Sequence, residues 1–339
     1  MSENIIDIQN LKVNLMSARG AVYAVRDISL DVKEGEIHGI VGESGCGKTM
    51  TAKSILRLHD ENKIVYGGKI IYNNKDVQKD ILEMKNSELQ TLRGKDISMI
   101  FQDPITTLNP LYTIGHQISE MIVQHLKINK DEAKKRTLML LESVGIFPSE
   151  KRYNQYPFEL SGGMLQRVII AMAISCGPRL LIADEPTTAL DVTMQAQVLD
   201  ILKYLQKERN MSVLIITHNF GVVAEICDRV SVMYAGKIVE TGEVRDIFYN
   251  PHHPYTQDLI HSIPKSGSTS KRLVTIPGSP PSLNKPIVGC SYAPRCSRST
   301  EKCFKVAPAL CKQSETHLYA CHLSQLTDEQ IHEMGQEVL

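Results

Sequence analysis

Short, uninterrupted runs of apolar residues recur along the first two thirds of the chain and alternate with stretches of helical spacing. The runs cover residues 36–41, 180–183 and 212–216. Apolar runs of this length, bounded by turn residues, are typical of strands buried on both faces. Helical spacing follows Thr49, where Ala52, Ile55 and Leu56 share one face, and it recurs over residues 195–207. The alternation predicts an α/β fold with a mostly parallel sheet and helices on its faces.

The stretch between these runs, about residues 103–175, has a helical pattern instead. Four apolar residues share one face of its first helix: Ile118, Met121, Ile122 and Leu126. A second helix is expected from about residue 131 to residue 144, where Gly145 provides a natural stop. We therefore predict that a helical subdomain is inserted into the α/β domain.

The buried-strand pattern and the helical pattern both end near residue 261. Five prolines fall between residues 261 and 289: Pro264, Pro277, Pro280, Pro281 and Pro286. This composition is typical of a linker or a loop-rich arm. A chain of 339 residues exceeds the about 250 to 300 residues at which single cores stop growing. We predict a large domain over residues 1–250 and a small, cysteine-containing domain over residues 251–339, called here the C-terminal extension.

Composition narrows the functional classes. Apolar residues make up 42% of the chain and charged residues 22%, which is ordinary for a globular protein. The 38 basic residues balance the 38 acidic ones, so the chain lacks the basic footprint of a dedicated nucleic-acid binder. No signal-peptide pattern opens the sequence, and no apolar run approaches the roughly 20 residues that span a bilayer. We expect a cytoplasmic protein that meets a membrane only through a partner.

A glycine-rich loop between the first buried run and the following helix predicts phosphate binding. It reads Gly42-Glu43-Ser44-Gly45-Cys46-Gly47-Lys48-Thr49 and is followed by Met50. Glycines allow backbone N–H groups to turn inward on phosphates, at the positive end of a helix. Lys48 supplies a positive charge for the β- and γ-phosphates of ATP, and Thr49 offers a hydroxyl to Mg²⁺. We expect the thiol of Cys46 to lie against the nucleotide, where ATP would shield it from alkylation.

Two acidic residues, Asp184 and Glu185, follow the second apolar run. The carboxyl ends of strands are where open α/β sheets place their ligands. Because adjacent side chains point in different directions, Asp184 can face Mg²⁺ while Glu185 faces an attacking water. The pair therefore predicts one metal-organising acid and one general base.

Further motifs, and their order along the chain, resemble those of the ATP-binding-cassette (ABC) ATPase family over about residues 5 to 245. The signature motif corresponds to residues 160–167, which read Leu-Ser-Gly-Gly-Met-Leu-Gln-Arg. The other matching positions are Gln102 in the glutamine loop, Ala189-Leu190-Asp191 in the aspartate loop, His218 as the switch histidine and Tyr23 as the adenine-stacking aromatic residue. For Tyr23 an ordinary, half-buried strand tyrosine is the alternative.

The resemblance implies that two cassettes dimerise head to tail and enclose two ATP molecules. Each site would be closed by the phosphate loop of one chain and by Ser161, Gly162 and Gly163, or their equivalents, of the other. His218 would contact the same γ-phosphate, and Gln102 would sense Mg²⁺ and water. Met164 stands where glutamine is usual in the family. A signature that reads Leu-Ser-Gly-Gly-Met resembles that of one of the two ATPase subunits of peptide importers.

The C-terminal extension resembles that of oligopeptide and dipeptide importer ATPases. Four cysteines match the positions of that family: Cys290, Cys296, Cys303 and Cys321. Four thiolates suit an iron–sulfur cluster or Zn²⁺. The resemblance favours [4Fe–4S], with Zn²⁺ and free cysteines as the alternatives. Cys311 has no counterpart.

These motifs imply an ATP-hydrolysing subunit of a membrane importer for di- and oligopeptides, at the cytoplasmic face of the membrane. Its partners would be a sister ATPase in a heterodimer, two transmembrane permease subunits and an extracellular peptide-binding protein. One alternative changes the cargo to nickel or a metal–chelator complex. A second alternative is an ABC ATPase of DNA repair or the ribosome, which the single phosphate loop disfavours. A third is a non-hydrolysing subunit, which is disfavoured because the sequence retains Lys48, Asp184, Glu185 and His218.

Overall fold

The computed structural model describes residues 3–17, 20–74, 77–188, 190–263 and 275–323. In chain order its strands are β1 (Asn4–Ser17), β2 (Gly20–Lys33), β3 (Ile37–Val41), β4 (Ile64–Asn74), β5 (Val77–Asp80), β6 (Ile97–Ile100), β7 (Leu180–Asp184), β8 (Ser212–Thr217), β9 (Arg229–Tyr234), β10 (Lys237–Glu243), β11 (Cys311–Lys312) and β12 (Leu318–Tyr319). Its α-helices are α1 (Lys48–Ile55), α2 (Asn86–Leu92), α3 (Pro104–Thr107), α4 (Ile114–Leu126), α5 (Lys130–Ser143), α6 (Ser149–Tyr153), α7 (Gly162–Ala173), α8 (Val192–Arg209), α9 (Phe220–Ile226), α10 (Val244–Tyr249), α11 (Pro254–His261) and α12 (Glu301–Lys305).

The central sheet has eight strands in the order β11-β12-β10-β9-β3-β8-β7-β6. The strands from β9 to β6 are parallel to their neighbours, and β10, β12 and β11 extend the sheet with antiparallel pairs. The three apolar runs are β3, β7 and β8, so the predicted parallel sheet is confirmed. Alternate residues face opposite clusters: Ile215 packs in one, and Leu214 and Ile216 pack in the other. Burial on both faces explains why these runs have no polar alternation.

A second sheet is entirely antiparallel, with four strands in the order β2-β1-β4-β5. It shares an apolar cluster with α1 and one face of the central sheet. The sequence analysis did not predict it. The register between β1 and β2 shifts near Asn4, near Leu11 and beyond Val13, and such bulges interrupt the strict alternation by which half-buried strands are recognised.

The inserted segment is helical, as predicted, and contains α3 to α7. Ile118 and Ile122 of α4 are fully buried beside α5 and α7, in the cluster on one face of the central sheet. Gly145 follows the end of α5 with a φ of 76°, the left-handed conformation that ends a helix readily at glycine. The subdomain therefore packs its apolar stripe inward, and α7 begins at the signature motif.

The described part of the C-terminal extension packs against the large domain. Its strand β12 pairs with β10, where Tyr319 lies opposite Glu240. The Tyr255 ring of α11 lies 4.5 Å from that of Tyr234 at the end of β9, measured between centroids. Residues 264–274 of the predicted proline-rich linker and residues 324–339 lie outside the described residues. The boundary at residue 250 stays a prediction.

Within the described part of the chain, no helix combines the length and the apolar character needed to cross a membrane.

Candidate functional site

The glycine-rich loop connects β3 to α1, as expected. The buried Lys48 Nζ donates hydrogen bonds to the carbonyl oxygens of Gly42, at 2.7 Å, and Glu43, at 3.0 Å. A Cβ at Gly42 would lie 2.1 Å from the Met233 carbonyl oxygen, and one at Gly47 would lie 2.5 Å from the Ala24 carbonyl oxygen. Only glycine fits these two close approaches of backbone to backbone. The loop thus curls around its own lysine at the amino end of a helix.

Thr49 and Asp184 meet across the ends of α1 and β7. The Thr49 hydroxyl donates to Asp184 Oδ1 at 3.0 Å. Burial raises the pKa of Asp184, and the neighbouring Glu185 charge raises it further. Thr49 and Asp184 line an open cavity of about 470 Å³ together with Gln102. These side chains present oxygen atoms, the ligands that Mg²⁺ prefers.

Glu185 is the centre of the polar network that follows β7. Its Oε2 accepts hydrogen bonds from Gln102 Nε2, at 3.0 Å, and from the Thr188 hydroxyl, at 2.8 Å. Its Oε1 lies 3.0 Å from His218 Nδ1. Burial raises the pKa of this carboxyl, but the hydrogen bonds from His218 and Thr188 outweigh burial, so its pKa lies below the usual value. Glu185 is therefore a carboxylate at neutral pH, able to accept a proton.

The backbone of Glu185 is held in a left-handed conformation with a φ of 50°. A residue with a Cβ pays for this conformation in steric strain, and such outliers cluster at functional sites. The Glu185 N–H donates to the Ile216 carbonyl oxygen of β8 at 2.8 Å, which fixes the turn. The strained turn aims the carboxylate at Gln102 and His218.

A second, larger cavity of about 710 Å³ joins these groups to the phosphate loop. Its wall includes Gly42, Glu43, Ser44, Gln102, Glu185, Thr188 and His218. Part of the wall comes from the C-terminal extension, through Leu259, Ser262, Thr275 and Ile276. The volume lies within the range of about 300 to 1,000 Å³ typical of small-molecule sites.

The signature residues line neither of these cavities. Ser161 is the exposed N-cap of α7, and its side chain makes no capping bond. A Cβ on the exposed Gly162 would meet no atom within 4 Å, whereas Gly163 is packed against Met194. The hydroxyl of Ser161 and the start of α7 therefore face outward.

Asp191 is the N-cap of α8, and its Oδ1 accepts from the Met194 N–H at 2.9 Å. Ala189 of the predicted aspartate loop lies outside the described residues. The loop is therefore described only by Leu190 and Asp191, at the start of α8.

The remaining residues predicted to contact the nucleotide occupy less exposed positions. Tyr23 is half-buried on β2, beside the Ala24 carbonyl that touches Gly47. Met50 is in the first turn of α1 and packs against the apolar cluster. The Cys46 thiol is only 5% exposed, within the same cluster. The expectation that bound ATP would shield this thiol is corrected, because the fold already buries it.

Three residues near this site were missed by the sequence analysis. Arg295 and Tyr255 of the C-terminal extension both contact Glu43 of the phosphate loop. Thr188 holds Glu185, as described above. None of them belongs to a nucleotide-binding motif, and Arg295 is 252 residues from Glu43. Thr188 follows the two acids closely enough to have been suspected as a side-chain hydrogen-bond donor.

The four predicted cysteine ligands lie close enough for their charges to interact. Burial, together with the charges of Cys290, Cys296 and Cys303, raises the pKa of Cys321 to about 11. Cys290 and Cys303 are also joined by a backbone hydrogen bond of 2.7 Å. Cys311 lies on β11, with its sulfur 3.6 Å from the Ala309 carbonyl oxygen.

Across the residues that the structure describes, no three His, Cys, Asp or Glu side chains are arranged to hold a metal ion. The cysteines nevertheless supply the right kind of donor, since thiolates are the ligands of iron–sulfur clusters.

Comparisons with known proteins agree with this geometry. Residues 25–188 match the family described as ABC transporter, and residues 239–303 match the family described as oligopeptide/dipeptide transporter, C-terminal region. The chain is 46% identical over 322 residues to the dipeptide transport ATP-binding protein DppD of Bacillus subtilis, an alignment that covers 95% of each chain. It is 47% identical over 315 residues to the oligopeptide transport ATP-binding protein OppD of the same organism, covering 92% of this chain and 87% of the relative.

Solved structures give the same fold. The ATP-binding cassette MJ0796, determined as a dimer in a post-hydrolysis state with ADP and Pi, superposes with a TM-score of 0.62. It is 26% identical to this chain and covers 71% of it, while 99% of the cassette is matched.

Proposed function

The chain belongs to the ABC transporter ATPases that carry the oligopeptide/dipeptide transporter C-terminal region, and from this premise we propose that it powers the uptake of di- and oligopeptides. The chain is an ATPase of the ABC type. The observation that supports a peptide cargo is the match over residues 239–303. The ATPase chemistry itself does not identify the cargo, because importers of many substrates share it. We assign residues 1–250 to the ATPase domain and residues 251–339 to the extension.

For ATP hydrolysis we propose that Glu185 is the general base. Its lowered pKa keeps it ionised, and it lies in the cavity that also reaches the phosphate loop. Gln102 and His218 orient it through their hydrogen bonds, and both face the space where an attacking water and the γ-phosphate would lie. Lys48 and the N–H groups of the loop hold the phosphates, and Tyr23 stacks on the adenine.

Mg²⁺ fits beside the loop, where Thr49, Asp184 and Gln102 share one cavity. When bound, the ion neutralises charge that develops on the transferred phosphoryl group. The raised pKa of Asp184 reflects burial and a neighbouring negative charge, so a bound cation would lower it again.

We propose that each ATP is enclosed between this chain and a sister ATPase in a heterodimer. Ser161 and Gly162 are exposed, the buried Gly163 follows them in the first turn of α7, and all three lie apart from the chain's own cavity. The start of α7 is therefore available to a partner's nucleotide. The resemblance to a cassette solved as a dimer supports pairing. Asp191, also exposed, would lie at the dimer contact.

The permease partners would dock on the helical subdomain, at the cytoplasmic face of the membrane. Large apolar side chains are exposed there, with Leu111 at 79%, Phe158 at 75% and Phe147 at 62%. Exposed apolar surface of this kind is typical of protein contacts. Replacing Leu111 and Phe158 by serine should release the chain from the permeases while nucleotide binding is kept.

Uptake by cells that lack the gene tests the cargo. Loss of di- and oligopeptide uptake, restored by the intact gene and not by a Lys48→Ala variant, is the expected result. Unimpaired peptide uptake with loss of nickel uptake would overturn the peptide assignment in favour of the metal cargo. An extracellular peptide-binding protein is expected to be required in the same assay.

We also propose that Cys290, Cys296, Cys303 and Cys321 hold a [4Fe–4S] cluster, with Zn²⁺ as the alternative. Each thiolate of such a cluster binds a different iron, so the sulfurs need not converge on a single ion. Their mutual charge effects and their shared burial support this assignment. Purified protein should be brown and contain about four irons per chain. Colourless protein with one zinc would decide for Zn²⁺, and colourless protein without metal would overturn both.

A further inference from the structure

Glu43 of the phosphate loop is fixed at each of its polar groups. Its carboxylate accepts two hydrogen bonds from the Arg295 guanidinium, with distances of 2.6 Å for Nη1 to Oε2 and 2.9 Å for Nη2 to Oε1. Its N–H donates to the Tyr255 hydroxyl oxygen at 2.9 Å. Its carbonyl oxygen accepts from Lys48 Nζ at 3.0 Å. Two of these three attachments come from the C-terminal extension.

Arg295 is itself rigidly placed. Its side chain is only 5% exposed. Its Nε donates to the Pro277 carbonyl oxygen at 2.8 Å, and its Nη1 lies 3.3 Å from the Tyr234 hydroxyl. The guanidinium also lies over the Tyr234 and Tyr292 rings, 5.8 Å from each centroid. A bidentate, largely buried pair of this kind resists both water and salt and defines a single geometry.

The position of the pair relates it to nucleotide binding. Glu43 lines the same cavity as Glu185 and His218, and the neighbouring wall is made by Ile276, whose carbonyl oxygen accepts from Arg295 at 3.4 Å. The loop carbonyl that holds Lys48 belongs to Glu43. Movement of Glu43 would therefore displace the lysine that meets the phosphates.

We propose that Arg295 and Tyr255 are positioning residues for ATP binding, which hold the phosphate loop in its nucleotide-accepting shape through Glu43. The C-terminal extension is then a structural part of the ATP site as well as a specialised appendage. This inference rests on the proposed use of the loop for ATP. It adds that residues outside the cassette's own motifs determine the affinity of that loop.

Equilibrium binding of a fluorescent ATP analogue and steady-state ATPase assays, on the full chain assembled with its partner subunits, test the proposal. Arg295→Ala should raise the Kd of the analogue and the KM for ATP about tenfold, since charge-assisted hydrogen bonds are lost. The kcat should stay within about twofold, because the loop still closes at saturating ATP. Arg298→Ala is the matched control, because Arg298 contacts Gln257 in the extension, and it should behave like the wild type.

A double-mutant cycle separates positioning from general destabilisation. Glu43→Gln combined with Arg295→Ala should bind nucleotide no more weakly than the weaker single variant. Multiplying effects in the double variant, or wild-type affinity in Arg295→Ala, would overturn the proposal. If Arg295→Ala does not fold, Glu43→Gln and Tyr255→Phe decide it, and unchanged KM values in both would overturn it. A wild-type complex that binds no nucleotide would instead refute the proposed function.

Discussion

The ATP site and the C-terminal extension are held together by different means. The site is built at the ends of β3, β7 and β8, fully buried parallel strands whose backbone ladders fix where Lys48, Asp184 and Glu185 emerge. In the described extension, the strands have only two residues each, and much of its attachment consists of buried polar and aromatic groups from distant parts of the chain. The central sheet therefore positions the catalytic side chains, whereas a few long-range contacts position the extension.

The contact between Glu240 and His317, called here the latch, is an example of a long-range contact that attaches the extension. The two side chains are buried and 2.8 Å apart, and the carboxylate also accepts the N–H groups of His252 and His253. Burial raises the pKa of Glu240, but these hydrogen bonds outweigh it and lower the pKa. Replacements in the ATP site should therefore change catalysis with little loss of stability, and replacements in the latch should do the reverse.

The largest expected effect is that of Glu185→Gln. The amide keeps the shape of the side chain and cannot accept a proton, so steady-state hydrolysis by the assembled complex should fall by about 10² to 10⁴-fold. ATP should remain bound, as measured by retention of radiolabelled nucleotide, and the melting temperature should stay near that of the wild type. Undiminished hydrolysis would refute the assignment of Glu185 as base.

His317→Ala should produce the opposite pattern. It removes the side-chain partner of the buried Glu240 carboxylate, which keeps the N–H groups of His252 and His253. The loss should cost about 3 kcal/mol of unfolding free energy. Denaturant unfolding measures the loss, and the KM for ATP should change less than about twofold at temperatures well below melting. The control is His322→Ala, because the more exposed His322 ring donates from Nε2 to the Val306 carbonyl oxygen and does not contact Glu240. A kcat that falls as far as in Glu185→Gln would break the contrast.

The pH dependence of stability should come partly from His253. Its ring is buried, its Nδ1 accepts the Tyr255 N–H at the start of α11, and burial lowers its pKa to about 4. The unfolded chain, with a histidine pKa of about 6.5, binds the proton first as the pH falls. The contribution is therefore fully present above about pH 6.5 and is lost towards pH 4, with a slope approaching 1.4 kcal/mol per pH unit.

His253→Asn tests this contribution, because asparagine keeps an N-cap acceptor and does not titrate. Urea unfolding between about pH 7 and pH 5 should show a shallower pH dependence for the variant than for the wild type. Parallel curves would mean that His253 takes up its proton in the folded state as readily as in the unfolded one.

The smallest effect should come from Thr188→Val. It removes one hydroxyl hydrogen bond to Glu185, the one of 2.8 Å, and leaves those from Gln102 and His218. A single bond to a charged group is worth about 1.5 to 3 kcal/mol. Because the two other bonds still hold Glu185, we expect the lower end of this range, a fall in kcat of about tenfold. A loss equal to that of Glu185→Gln would mean that Thr188 takes part in proton transfer itself.

The difference between the two regions also explains what the sequence could predict. Parallel strands buried on both faces appear as uninterrupted apolar runs, and the phosphate loop is one contiguous motif, so β3, β7, β8 and the loop were predicted correctly. The antiparallel sheet was missed because bulges between β1 and β2 interrupt its alternation. The contacts of Glu43 with Arg295 and Tyr255 span more than 200 residues, and no local periodicity records such pairs.

The assigned roles of Tyr23, Ser161 and Asp191 stay predictions, since they depend on a nucleotide or a second cassette. The sequence could name these residues only through family motifs. The geometry of one chain places them on its surface or on β2, without the atoms they are expected to meet.

Glu43 occupies one of the positions that the phosphate-loop pattern leaves open to any residue, yet here it receives both Arg295 and Tyr255. Domain grafting is constrained by this arrangement. A chimera that moves the extension onto another cassette should carry glutamate at the equivalent of position 43, and a cassette deprived of its extension should be given a smaller, uncharged residue there. Modules that look separable along the chain would then be exchanged as a matched set.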